Sequence, residues 1–260
     1  MKVRPGLGLI TCCLSALALL TLVAPAVLAA EPSPGMEQER PLPSSVLYIG
    51  NSHTERNRGL GWLVGNFVAA EGTDRPYRST QLTEGGVNLE YHWTHGGPEL
   101  IESGDFDVVV LQGYLAAAYP GTIEPFLEYA RKFDDVIRAS GAETVFFMTW
   151  PGAVDDWSTI DDVVEAHRQI AQETGAPVAP AALAFEQALA QRPDLVLIGP
   201  DRVHATWTGA YLAAATVYAT LFERSPEGLS YTFGLDTDTA AFLQRVAWET
   251  VTEWNEGLAS

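Results

Sequence analysis

Three side chains in this sequence have the types needed for acyl transfer: Ser52, Asp201 and His204. A serine hydroxyl is a poor nucleophile at neutral pH. It needs a base to take its proton, an orienter for that base, and donors for the oxyanion that forms. Asp201 and His204 stand three apart just before a helical pattern, a spacing that puts a carboxylate beside an imidazole. Such a contact fixes the tautomer of the histidine and stabilises its charged form. The plainer reading of Ser52 and of Asp201 is helix capping, a common job for both residue types.

The surrounding pattern says where these groups sit. Val46-Leu47-Tyr48-Ile49 is a continuous apolar run, the signature of a strand buried on both faces. Gly50 offers a sharp turn, and Ser52 follows at once, before a helical pattern that includes Leu60, Leu63, Val64 and Phe67. The hydroxyl therefore lies at the carboxyl end of a central strand, where open α/β sheets form their ligand crevices. Further strands are expected over Tyr77–Leu82, Phe106–Leu111, Thr144–Met148 and Pro177–Ala179. Helices are expected around Phe126–Ile137, over Ile160–Thr174 and Ala181–Ala190, from Thr208 to Phe222, and over Phe242–Trp254. Strands alternating with helices demand a parallel sheet covered on both faces. No internal repeat and no second domain are evident.

Lys2 and Arg4, the apolar run from Leu7 to Val27 and the small residues at Ala29 and Ala30 read as a secretory signal peptide over residues 1–30, with a retained anchor as the alternative. Residues 31–43 read as a flexible leader rich in Pro, Glu and Ser, and residues 44–258 as the folded domain. The expected location is secreted or periplasmic, without stable membrane insertion after cleavage. Both cysteines, Cys12 and Cys13, fall in the signal segment, so the mature chain would carry neither a disulfide nor a thiolate. The formal charge is −18, and loss of Lys2 and Arg4 leaves 13 basic against 33 acidic residues. Such a chain repels nucleic acid and anionic membrane surfaces.

The remaining candidates carry less. His53 adjoins Ser52, but neighbours in an extended turn point apart. His92 and His95 have a spacing compatible with a metal, yet no further ligands accompany them, so no metal site is expected. His167 lies in a polar helical stretch and is expected at the surface. Trp93, Trp150, Trp157 and Trp207 fall near strand ends and could stack on sugar rings, line an acyl pocket or merely cover the core edge. Asp155, Asp156, Asp161 and Asp162 lack the spacing of a calcium loop and suit the first turn of a helix.

Gly50-Asn51-Ser52 near one end and Asp201-x-x-His204 near the other together resemble the SGNH (GDSL-type) hydrolase superfamily, over Ser44 to Arg224. Thr54 stands where the second glycine of an α/β-hydrolase elbow would be, which separates the chain from that class. The resemblance implies a three-layer α/β/α sandwich with a flavodoxin-like parallel sheet of about five strands. It implies Ser52 as nucleophile, His204 as base and Asp201 as orienter. For the oxyanion it implies the N–H groups of Ser52 and Gly86, with Gln112 standing where the family has an asparagine. Asn51 replaces the family's aspartate. The activity implied is hydrolysis of carboxylic esters, O-acetyl or short-chain, through an acyl-enzyme and without a cofactor. The expected partner is a small-molecule or carbohydrate ester, with Trp93, Trp150 and Trp207 as substrate contacts. The alternatives are an acyltransferase using the same triad and a catalytically weak carbohydrate-binding relative.

Overall fold

The computed structural model describes residues 42–114, 123–152 and 159–259. The signal segment, Cys12 and Cys13, nearly all of the leader, Asp155, Asp156 and Trp157 lie outside the described residues. At the near edge of the leader, Leu42 packs against the core and Pro43 is buried.

Among the described residues five strands form one parallel sheet: β1 (Ser45–Gly50), β2 (Arg78–Thr83), β3 (Val108–Leu111), β4 (Glu143–Phe147) and β5 (Val178–Ala179). Their spatial order is β2-β1-β3-β4-β5. The order reverses at β1, which is buried along its whole length and pairs with β2 on one side and β3 on the other. That reversal is the switch point at which open sheets leave a crevice past their strand ends. Pairing runs beyond the strands there: the Gln112 N–H donates to the Ile49 carbonyl at 2.8 Å.

The helices fall into two layers. One holds α2 (Leu60–Ala70), α7 (Ala181–Gln191) and α9 (Thr237–Ala259), each packed against α8 (Trp207–Phe222). The other holds α3 (Leu89–Thr94), α4 (Gly97–Ser103), α5 (Ile123–Ala139) and α6 (Ile160–Thr174). A single turn, α1 (Ser52–Glu55), begins directly after β1. The α2 residues Leu60, Leu63, Val64 and Phe67 are all buried, the stripe that their helical spacing demands. Helix α8 is buried from Gly209 to Phe222, and its run of alanines lets α2, α7 and α9 approach it closely. A capping box between Thr159 and Asp162 starts α6. Among the described residues no helix is long and apolar enough to cross a membrane.

Ile198 makes one antiparallel bridge to Ala205. Two expectations are corrected. Helix α9 is longer than the stretch Phe242–Trp254. His167 is buried, because Val163, Ala166, His167 and Ile170 form the inward stripe of α6. Its Nδ1–H donates to the Val163 carbonyl at 2.8 Å, and its ring packs 5.1 Å from that of Phe126. Burial pushes its pKa down to about 4.

Candidate active site

The nucleophile candidate is held by a braced turn. Asn51 caps α1: its side-chain oxygen accepts the His53 N–H at 3.1 Å, and its Nδ2 donates to the Val87 carbonyl at 3.1 Å. Gln112 braces the turn from β3. Its Oε1 accepts the Asn51 N–H at 2.8 Å and the Thr54 hydroxyl at 3.0 Å, and its amide nitrogen donates to the Gly113 carbonyl. The buried His92 donates from Nε2 to the Gly50 carbonyl at 2.8 Å. Gly50 does not adopt a left-handed conformation. It must be glycine for space, because a Cβ there would lie 2.4 Å from Thr54 Oγ1 and 2.6 Å from Gln112 Oε1. Ser52 thus sits on a turn in which the Gly50 carbonyl, the Asn51 amide groups and the Thr54 hydroxyl are all hydrogen-bonded.

The base candidate sits on a tight hairpin between α7 and α8. The Gly199 N–H donates to the His204 carbonyl at 2.7 Å, the Arg202 N–H to the Gly199 carbonyl at 2.9 Å, and the Thr206 N–H to the Leu197 carbonyl at 2.9 Å. Thr206, not Asp201, caps α8, its side chain accepting the Gly209 N–H. Asp201 Oδ1 accepts the N–H groups of Val203 and His204 at 3.1 and 3.0 Å, closing the loop on itself. Trp150 Nε1 donates to the Val203 carbonyl at 2.9 Å, which pins this hairpin to the end of β4.

Turn and hairpin meet. Ser52 Oγ lies 2.7 Å from His204 Nε2, and His204 Nδ1 lies 2.8 Å from Asp201 Oδ2. With Nδ1–H donating to the carboxylate, Nε2 is free to accept the serine proton. The backbone and ring N–H groups of His204, followed by the Val203 N–H, hold the Asp201 carboxyl well below the usual carboxylate range. Asp201 therefore remains an anion throughout the physiological range.

Other expected residues divide. Gly86 has φ of +74° and open space around it, in an exposed loop that the Asn51–Val87 bond ties to the Ser52 turn. Gln112 is brought to the site, but its amide is committed to the turn and the neighbouring backbone. Trp150 is only 2% exposed and stacks on Phe185 at 4.1 Å, so it floors the site and offers no face to a ligand. Trp93 packs its ring edge-on against Phe133 on α5. Trp207 is 54% exposed on the His204 side. His95 is exposed and stacks on Tyr91 at 4.0 Å. Among the described residues no group of three or more His, Cys, Asp or Glu could hold a metal ion.

Two residues at the site, Arg56 and Asn57, were not singled out from the sequence, and a third, His53, is placed differently from its expectation. Arg56 Nη1 lies 3.3 Å from Asp201 Oδ2, the same oxygen that receives His204. Asn57 Nδ2 donates to the Ala205 carbonyl at 3.0 Å, a second tie between turn and hairpin. His53 is on α1, not in an extended turn, and its ring lies 5.3 Å from that of His204 and edge-on to Trp150. Its Nδ1 is buried without a hydrogen-bond partner. Burial, then His204, lowers its pKa to about 3, so it is a neutral neighbour of the base. The signal for Arg56 and Asn57 was their position one turn beyond Ser52.

No protein-family model and no curated protein matches the sequence. Solved structures do. A protein from Slackia heliotrinireducens described as a candidate SGNH hydrolase superposes with a TM-score of 0.58 at 22% identity, over 68% of this chain and 98% of that one. The chain has the SGNH-hydrolase fold. A DUF4886 family protein from Bacteroides uniformis also gives 0.58, at 17% identity over 80% of this chain and 94% of the other. An acetylxylan esterase from Geobacillus stearothermophilus, solved as a catalytic mutant, gives 0.50 at 16% identity over 70% and 95%.

Proposed function

We propose that this SGNH-fold protein is an exported serine esterase acting on O-acetyl or short-chain acyl esters, with acetylated carbohydrate as the preferred class. The observation that carries the reading is the unbroken chain Ser52 Oγ–His204 Nε2, His204 Nδ1–Asp201 Oδ2, at 2.7 and 2.8 Å. Ser52 Oγ attacks the acyl carbonyl carbon while its proton passes to His204 Nε2. Asp201 stabilises the resulting imidazolium. The oxyanion is held by the N–H groups of Ser52 and Gly86. As the tetrahedral intermediate collapses, His204 returns the proton to the leaving alcohol and an acyl-Ser52 ester remains. Water then attacks that ester, giving its proton to His204, which passes it to Ser52 Oγ as the acyl–oxygen bond breaks and the free acid departs.

Gln112 supports the turn in this scheme and not the oxyanion. Loss of one oxyanion donor typically costs on the order of 10²–10³ in rate, so a modest turnover is expected. The side chains packed behind Ser52, Leu60, Leu63, Trp150 and Ala213, are buried and leave no room there for a long acyl chain, so a short acyl group is the reading we favour. The acetylxylan esterase among the similar folds is consistent with that choice. Export rests on the N-terminal sequence pattern alone.

The test is hydrolysis of 4-nitrophenyl acetate by the purified mature protein. Turnover that disappears in Ser52→Ala and in His204→Ala is the expected result. Turnover retained in Ser52→Ala would overturn the assignment.

A further inference from the structure

Beside His204 the surface carries an aromatic ledge that the scheme above does not use. Trp207 is 54% exposed and Trp62 37% exposed, and apart from Val196 they are the exposed large apolar side chains among the described residues. Phe233 stands between them, its ring 4.7 Å from that of Trp207 and 6.1 Å from that of Trp62. The Arg58 guanidinium lies 4.2 Å over the Trp62 ring. A stacked guanidinium covers one ring face while its N–H groups point outward along its own plane.

Two backbone features hold these groups where they are. Phe233 has φ of +55° and Arg58 φ of +77°, a region that side chains other than those of Gly, Asn and Asp seldom occupy. Asn57, at φ of +56°, is fixed to the hairpin through the Ala205 carbonyl. The ledge is therefore joined to the catalytic hairpin twice. Trp207 follows His204 by three residues, a Cα path of at most about 11 Å. Arg58 follows by two residues the arginine that contacts Asp201.

The position decides which half of an ester would rest there. The leaving alcohol receives its proton from His204 Nε2, so it must lie on the His204 side of the acyl carbon. The oxyanion and its donors lie on the Gly86 side. Shape decides the chemistry of that half. An alkyl chain on an open ledge would stay half in water and gain little. A pyranose presents a flat face of C–H groups that suits an indole, and a rim of hydroxyls that suits a guanidinium.

We propose that Trp207, Phe233, Trp62 and Arg58 form a subsite for a glycosyl unit that is the alcohol half of the ester. This deepens the esterase reading and, for its catalytic arm, rests on it.

The test has a catalytic arm and a binding arm. In the first, kcat/KM is measured for acetylated xylotriose and for methyl acetate in the wild type, Trp207→Ala and Trp207→Phe. The ratio of the two values is expected to fall at least tenfold in Trp207→Ala, through KM for the sugar ester, and to recover in part in Trp207→Phe. An unchanged ratio would overturn the proposal. So would a wild-type preference for phenyl acetate, at equal acyl group, that Trp207→Ala abolishes, since the ledge would then be an aryl site. In the second arm, quenching of tryptophan fluorescence by acetylated xylotriose is followed in Ser52→Ala, with and without Trp207→Ala. Saturable quenching that Trp207→Ala and Arg58→Ala weaken supports the subsite even if no ester is turned over, which separates its fate from that of the esterase reading. Absence of saturable quenching up to millimolar sugar ester would reject it.

Discussion

The two halves of the candidate triad are held by different physics. Ser52 belongs to a turn set in the core: Asn51, Thr54, His92 and Gln112 are all buried, Gln112 accepts from Asn51 and Thr54, and His92 donates to the Gly50 carbonyl. His204 and Asp201 belong to a surface hairpin, with the Asp201 side chain 43% exposed and held by short-range bonds to its own loop. The nucleophile is fixed by burial, so its position should be inseparable from folding. The base and orienter are fixed locally, so they should be separable from it. Damage to the buried half should cost stability and rate together, and damage to the exposed half rate alone.

The largest separation is expected in Asp201→Asn. With its oxygen kept by the Val203 and His204 N–H groups, the amide turns its NH2 toward Nδ1, which favours the wrong imidazole tautomer and leaves the imidazolium without a counter-charge, and kcat should fall by about 10³–10⁴ with the melting temperature nearly unchanged. Thermal unfolding and 4-nitrophenyl acetate kinetics on one preparation check this. Gln112→Leu should do the converse. It leaves the buried Asn51 N–H and Thr54 hydroxyl without an acceptor, each costing about 1–3 kcal/mol. The melting temperature should drop by roughly 5–10 °C, with activity falling alongside. A Gln112→Leu protein as stable as the wild type would break the contrast.

A third expectation uses pH. His167 is buried with its pKa lowered to about 4, from 6.5 in an unfolded chain. Above about pH 6.5 both states are neutral there and nothing is lost. As pH falls through that value the unfolded chain takes up the proton first, so stability declines from about pH 6.5 to about pH 4. At pH 5 the loss is about 2 kcal/mol. His167→Leu should remove that part of the slope in denaturant titrations at pH 7 and pH 5. The smallest effect belongs to Arg56→Gln. Its pair with Asp201 is more than half exposed on the arginine side, and such pairs contribute little to stability and are screened by salt. A change in kcat of a few-fold that vanishes at high ionic strength is expected; a hundredfold loss would mean that Arg56 belongs with the triad.

The same contrast explains what the sequence disclosed. Val46–Ile49 and Val108–Leu111 were readable as buried strands because a parallel sheet covered on both faces leaves no polar alternation. The juxtaposition of Ser52, Asp201 and His204 was readable because few residue types suit such a chain and the hairpin keeps two of them three positions apart. The function of Gln112 was not readable, since an amide can donate or accept and only its neighbours decide. Trp150 and Trp207 look alike in sequence, yet one is the floor of the site and the other its rim. The burial of His167 was available from its spacing with Val163, Ala166 and Ile170, and was hidden by the polar residues between them. The ledge of Trp62, Trp207 and Phe233 unites three remote stretches, so local pattern could not assemble it.

The central claim is that Ser52 is an activated nucleophile. The most direct measurement is labelling of the mature protein with a fluorophosphonate, followed by mapping of the modified peptide. The account predicts one adduct, on Ser52, that is absent in Ser52→Ala and forms far more slowly in His204→Ala. A folded protein that takes up no label, or takes it up at another serine, would contradict it.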